Sequence, residues 1–290
     1  MTELLQLRAR LAATPPAVYS ALTEATALTT WLAEYADISL PQRRFEFWGR
    51  YTPQGARGRQ RLLEAERDRL LKFAWTLDGK ATTAEIRLAP DGRDGTELTV
   101  VQDGAPTLEE LMAPTGRRDG LHSLHTFWGL AIAGLAEYVE GRELTPKCDF
   151  GPDRAAEIRI EVTVGAPADE VFESLIDPVR IGRWFGWEAE VEPRLGGRMT
   201  LGADGRIFEF EPGRKLAYGD GEMVVRWELA ESGGGTRLTF VQSGFEPGEL
   251  DNAAQHEAGW LAGIAELKRM HELGERWQPL TTELPADPER

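Results

Sequence analysis

The chain has 290 residues, 41% hydrophobic and 28% charged, a globular composition with length enough for two cores. Lys and Arg total 33 against 48 Asp and Glu, a net charge of −15 that repels phosphate backbones and anionic lipid surfaces and argues against nucleic acid as a partner. The single cysteine, Cys148, has no partner for an intrachain disulfide, the first residues carry no signal-peptide pattern, and no uninterrupted apolar run reaches about 18 residues. The expectation is a soluble, cytoplasmic protein with a reduced thiol and no membrane insertion.

In chain order, Leu5, Leu7, Ala9 and Leu11 alternate with polar residues, the period-two pattern of a half-buried strand. A proline-led helical segment follows, with Val18, Tyr19 and Leu22 ahead of Trp31. Further alternation at Leu71, Phe73, Trp75 and Leu77, and at Ala84, Ile86 and Leu88, predicts hairpins, with a turn at Asp91 to Gly95. His125, Trp128, Ile132, Leu135 and Val139 then recur at three- and four-residue steps, one stripe of a helix.

The second half repeats this order. Ile158, Ile160, Val162 and Val164 alternate; Pro167 opens a helix carrying Val171, Phe172 and Leu175; and Trp184 answers Trp31 at a constant displacement of 153. Glycine-rich turns at Gly196-Gly197, Asp204-Gly205, Asp220-Gly221 and Gly233 to Gly235 separate short apolar runs, an antiparallel meander. Met223, Val225, Trp227 and Leu229 are expected on one strand face, and Glu209 on the face of Ile207 and Glu211. Thr96 to Gly104 matches Thr236 to Gly244 at six of nine positions, and His256, Trp260, Ile264 and Leu267 repeat the helical stripe.

Each half therefore reads as an α+β unit: strand, two short helices, hairpin-linked strands and a long terminal helix that must cover the apolar face of its sheet. The expected divisions are a divergent first unit over 1–143, a linker over 144–155, a second unit over 156–278 and a frayed, proline-containing tail over 279–290 with Pro279, Pro285 and Pro288.

The second half resembles the bacterial proteins related to the C-terminal domain of the activator of the heat-shock-protein-90 ATPase, within the START-related, pollen-allergen-like helix-grip superfamily (SRPBCC). The resemblance rests on the strand at Ile158 to Val164, the Pro167 to Trp184 helices, Arg194-Leu-Gly-Gly-Arg-Met199, Gly213 to Tyr218, Thr236 to Phe240 and His256-Glu-Ala-Gly-Trp260. The first half is similar without the Leu-Gly-Gly-Arg turn, and with His125-Thr-Phe-Trp128 in place of the His-Xaa-Xaa-Gly-Trp spacing. The resemblance implies tandem helix-grip domains, each a curved antiparallel sheet on a long C-terminal helix, often with an apolar pocket; its members include carriers, cyclases and co-chaperones.

An expected pocket in the second unit is lined by Trp184, Phe208, Phe210, Met223, Val225, Trp227, Phe240, His256, Trp260 and Ile264. His256 on the helix stripe would serve as acid or base, or simply pack near the helix start; no nucleophile or carboxylate near it in sequence completes a catalytic set. His122 and His125, three apart, lack a further metal ligand, and no phosphate-binding loop, nucleophile elbow or paired cysteine motif is present. The resulting expectation is a non-catalytic protein, without cofactor or metal, that binds an apolar or amphipathic small molecule. A cyclase- or hydrolase-like enzyme using His256 and a co-chaperone-like module with a protein partner are the two alternatives.

Overall fold

Strand β1 (Glu3–Leu11) forms where the sequence alternates, and Leu5, Leu7, Ala9 and Leu11 are buried along one face. The computed structural model describes residues 3–107, 110, 120–246 and 248–284, so Pro285 and Pro288 of the expected tail lie outside the described residues. The chain divides into two compact units: Met1–Asp153 together with Leu280–Arg290, and Arg154–Pro279.

In the first unit β1 leads into α1 (Pro15–Thr23) and α2 (Ala25–Trp31). Prolines occupy the first turn of α1, where a missing N–H costs no helical bond. A separate hairpin, β2 (Tyr35–Ser39) with β3 (Arg44–Trp48), precedes the meander β4 (Gln60–Glu66), β5 (Leu70–Leu77), β6 (Lys80–Asp91) and β7 (Gly95–Ala105). Asp78 and Gly79 join β5 to β6 with φ of 51° and 77°, the paired left-handed geometry that matches strand twist. Helix α3 (Leu124–Val139) closes the unit and buries Trp128, Ile132 and Leu135, as its stripe predicts. His122 lies in the turn ahead of this helix, so the two histidines do not share a helical face.

The second unit repeats the plan with β8 (Ile158–Val164), α4 (Ala168–Ile176), α5 (Pro178–Trp184), β9 (Arg198–Met199), β10 (Gly205–Glu211), β11 (Lys215–Gly219), β12 (Val224–Ser232), β13 (Gly235–Ser243) and α6 (Leu250–Leu273). Its six strands run in the order β8-β13-β12-β11-β10-β9, all antiparallel. Asp177 caps α5, its carboxylate accepting from the Val179 and Arg180 amides.

Three buried side-chain bonds recur in both units and explain why these residues repeat. Thr96 Oγ1 donates to Ala13 O at 2.6 Å and Thr236 Oγ1 to Ala166 O at 2.7 Å. Trp31 Nε1 donates to Ala21 O at 3.0 Å and Trp184 Nε1 to Ser174 O at 2.8 Å. Trp128 Nε1 reaches Gln102 Oε1 at 3.3 Å, and Trp260 Nε1 reaches Gln242 Oε1 at 2.7 Å. Each bond satisfies a polar group that has left water, and the last ties the long helix to its sheet.

The expected linker and the expected tail both make specific contacts. The segment after α3 is held on the first unit: Glu137 accepts from Thr145 N and Oγ1, Lys147 Nζ donates to Thr29 O at 2.7 Å, and Phe150 N donates to Arg50 O at 2.7 Å. The expected frayed tail instead contains β14 (Thr281–Glu283), antiparallel to β1, which gives the first sheet the order β14-β1-β7-β6-β5-β4. An unpaired strand edge presents backbone donors and acceptors, and pairing them outweighs the tail's weak intrinsic pattern.

Candidate functional site

The residues expected to line a pocket in the second unit fall on α5, the meander and α6. Trp184, at the end of α5, packs edge-on against Trp227 of β12 with ring centroids 6.3 Å apart. Trp227 lies 4.6 Å from Phe240 and 5.4 Å from Trp260, and Phe240 and Trp260 are 4.5 Å apart. Phe185 covers the other side of Trp260 at 4.9 Å. These rings pack edge-on or tilted against one another between sheet and helix, each pair favourable beyond its area of burial. Gly263 of α6 permits the approach, since an added Cβ would lie 2.8 Å from the Phe185 ring.

The loop between β9 and β10 lies against the same cluster. Gly202, with φ of 68°, passes so close to Trp260 that a Cβ there would fall 2.1 Å from the indole. Tyr218 Oη donates to Leu201 O at 2.5 Å, and complete burial pushes its phenol above the ordinary value of 10.0.

Of the ten expected lining residues, Trp184, Val225, Trp227, Phe240, Trp260 and Ile264 are brought together in this core, each no more than 2% exposed. Phe210 is half-buried 5.7 Å from Phe172, and Met223 sits in the turn before β12 rather than within the strand. His256 is half-buried near the start of α6, edge-on to Phe245 at 5.2 Å. Phe208 is 50% exposed, with the Arg226 guanidinium 5.2 Å above its ring.

A β-bulge explains Phe208. The register of β10 on β11 shifts between Ile207 and Glu209, leaving Phe208 as the extra residue and reversing the alternation beyond it. Ile207 is therefore buried, Phe210 meets Phe172, and Glu209 pairs with Lys215 at 3.4 Å. Glu209 thus shares a face with Glu211, as expected, but not with Ile207. Phe185, Tyr218, Gln242 and the Leu201–Gly202 backbone escape the sequence reading; the identity of Gln102 and Gln242 in the matched blocks was the available signal for one of them.

Two further surfaces surround chemistry-bearing groups. In the first unit a cleft of about 20 Å³ is lined by Trp31, Phe127, Ala131, Lys147 and Cys148, room for about one water and far below the roughly 300 Å³ of a small-molecule site. Burial lowers the Lys147 ammonium from its ordinary value, and Thr29 O, Ala33 O and the Tyr51 ring receive it. On the second unit an open concavity of about 890 Å³ is bordered by Arg198, Asp204, Arg206, Phe208 and Asp220. Arg198 grips Asp204 through Nε at 3.3 Å and Nη2 at 3.0 Å and holds its carboxyl below the usual range. Among the described residues no cluster of three or more His, Cys, Asp or Glu is arranged to hold a metal, and no helix is long and apolar enough to cross a membrane.

The family model for the activator of Hsp90 ATPase homolog 1-like protein matches residues 12–140 and again 165–272, one match in each unit and together well over half of the chain. The chain belongs to this family. It carries the family's domain twice, which accounts for the matched hydrogen bonds. Among solved structures, an AHSA1-like protein from Rhizobium etli is 34% identical, with 42% of this chain and 85% of that one covered and a TM-score of 0.36. The Aha1 dimer from Colwellia psychrerythraea is 15% identical over 42% of this chain and 99% of that one, with a TM-score of 0.38. An HSP90 activator from Plasmodium falciparum is 18% identical over 32% of this chain and 75% of that one, with a TM-score of 0.29. No curated protein matches.

Proposed function

We propose that this protein is a cytoplasmic protein-interaction module of the co-chaperone type, whose partner is a chaperone ATPase of the Hsp90 class. The observation that carries the reading is the aromatic cluster of Trp184, Trp227, Phe240 and Trp260, packed edge-on or tilted at centroid separations of 4.5 to 6.3 Å between sheet and helix. A small apolar ligand bound among these rings would have to displace groups whose burial stabilises the unit. Binding is therefore assigned to the outside of the fold.

The exterior of the second unit has apolar groups to offer: Trp187 is 60% exposed, Leu195 63% and Phe208 50%. Large side chains left in water contribute most to an interface when a partner desolvates them. The family description supplies the class of partner, and the net charge of −15 favours a basic docking surface on it. His256, packed on Phe245, is given no chemical role.

The test is the ATPase rate of a purified Hsp90-class chaperone with and without the full chain. Salt-sensitive stimulation is expected. An unchanged rate with no complex at low ionic strength, alongside saturable quenching of tryptophan fluorescence by a fatty acid or sterol, would overturn the reading in favour of a carrier.

A further inference from the structure

The two sheets end differently. In the first, β1 pairs with β7 on one side and β14 on the other. In the second, β8 stands at the position of β1, with Ile158, Ile160, Val162 and Val164 displaced by 153 from Leu5, Leu7, Ala9 and Leu11, yet among the described residues it pairs with β13 alone. The β8 edge is regular over its length: its register on β13 runs without a shift from Ile158 to Val164, and it contains no proline. Arg159, Glu161 and Thr163 face water while the four aliphatic residues are buried. Natural edges are usually blunted by charges, bulges, prolines or covering segments, and among the described residues this strand carries the Arg159–Glu161 pair at 2.9 Å and no bulge or proline.

The chain itself shows what such an edge accepts. Thr281, Thr282 and Glu283 lie antiparallel on Ala9, Arg8 and Leu7, Leu284 N donates to Gln6 O at 2.9 Å, and Leu280 is buried just ahead of the paired stretch. The occupant is thus a short extended segment with hydroxyl or acidic residues between leucines, held mainly through backbone bonds. The first unit has this strand in cis, and among the described residues the second has none.

We propose that the β8 edge of the second unit is a strand-addition site that receives an extended segment of a partner polypeptide, antiparallel and centred on Ile160, Glu161 and Val162. Main-chain hydrogen bonds would supply affinity and alternate side chains specificity. The occupant's middle residue falls opposite Glu161, where unit 1 has Arg8, so a basic residue there suits this edge better than the threonine of β14. A second copy pairing β8 with β8 about the strand centre would set Glu161 against Glu161, which disfavours self-association by this edge. The proposal holds for any partner of this chemistry and does not depend on its being a chaperone.

The test uses the full chain and a synthetic peptide with the sequence of Gln278 to Arg290, read by backbone amide hydrogen exchange. At saturating peptide, exchange across Ile158–Val164 is expected to slow about tenfold or more. A peptide carrying Thr282→Lys should bind roughly two- to five-fold more tightly and one carrying Thr282→Pro about tenfold more weakly. Protection confined to Glu3–Leu11, where the peptide merely displaces the chain's own β14, would overturn the proposal. So would no protection at millimolar peptide, equal binding of the proline peptide, or a solution dimer in which β8 is already protected.

Discussion

The two units are built on one plan and differ in what they leave uncovered. At matched positions on the outer sheet faces, the first unit sets Lys72 against Glu85 at 2.9 Å, whereas the second sets Ala217 against Arg226, whose guanidinium lies over Phe208. The first unit has β14 on its edge, and among the described residues the second sheet ends at β8. The helix-to-sheet bond is also shorter in the second unit, 2.7 Å for Trp260 against 3.3 Å for Trp128. Of the two copies, the second is the one that exposes several large apolar side chains and, among the described residues, an open strand edge, which is why binding is assigned to it.

The largest effect that would break this comparison is loss of the central indole. Trp260→Ala removes ring contacts with Phe185, Trp227 and Phe240 and strands Gln242, for about 3–5 kcal/mol of destabilisation of the second unit by denaturant titration. Trp128→Ala should cost less, because its ring meets only Trp75 and Phe127 among the aromatic contacts of the described residues; an equal or greater loss would reverse the ranking. Next is Gly202→Ala, which combines left-handed strain with a collision on Trp260 and should cost about 2–3 kcal/mol. Gly79→Ala in the first unit has open space around its Cβ and should cost about 1 kcal/mol.

A pH experiment sharpens the contrast further. His271 Nε2 meets the buried Ser174 Oγ at 3.1 Å, while the corresponding positions in the first unit are Val139 and Ala21. Burial holds the imidazole below its ordinary value of 6.5, Arg180 pushes the same way and Glu170 opposes. The folded state prefers the neutral ring, so the unfolded chain takes the proton first. Stability from this pair is full above about pH 6.5 and is lost as pH falls below it. His271→Val should flatten that part of the profile measured for the second unit; an unchanged slope would remove the assignment. The smallest expected effect is Arg226→Ala, below about 1 kcal/mol in stability, because its contact with Phe208 is at the surface.

The architecture was legible because alternation and helical stripes report burial directly: Leu71, Phe73, Trp75 and Leu77 are all buried on one face, and Trp31 and Trp184 make the same bond. The site was less so. Spacing places Trp227, Phe240 and Trp260 on facing surfaces but does not say whether their rings enclose a space or occupy it. The inserted residue at Phe208 leaves no mark in a pattern of Ile, Phe, Glu and Phe, so the sequence alone does not show that Phe208 lies outside the core. Strand β14 escaped because Thr-Thr-Glu is unremarkable alone and acquires its structure from an edge nearly the whole chain away.

The central claim, that this protein works through the outside of its second unit, is tested most directly by calorimetric titration of an Hsp90-class chaperone with the full chain and with a Trp187→Ala, Leu195→Ala, Phe208→Ala variant. Saturable binding by the wild type and at least a tenfold loss in the variant are expected, a difference of about 1.4 kcal/mol, with the circular dichroism of both chains unchanged. Equal affinity in the two proteins, or no binding by either, would contradict it.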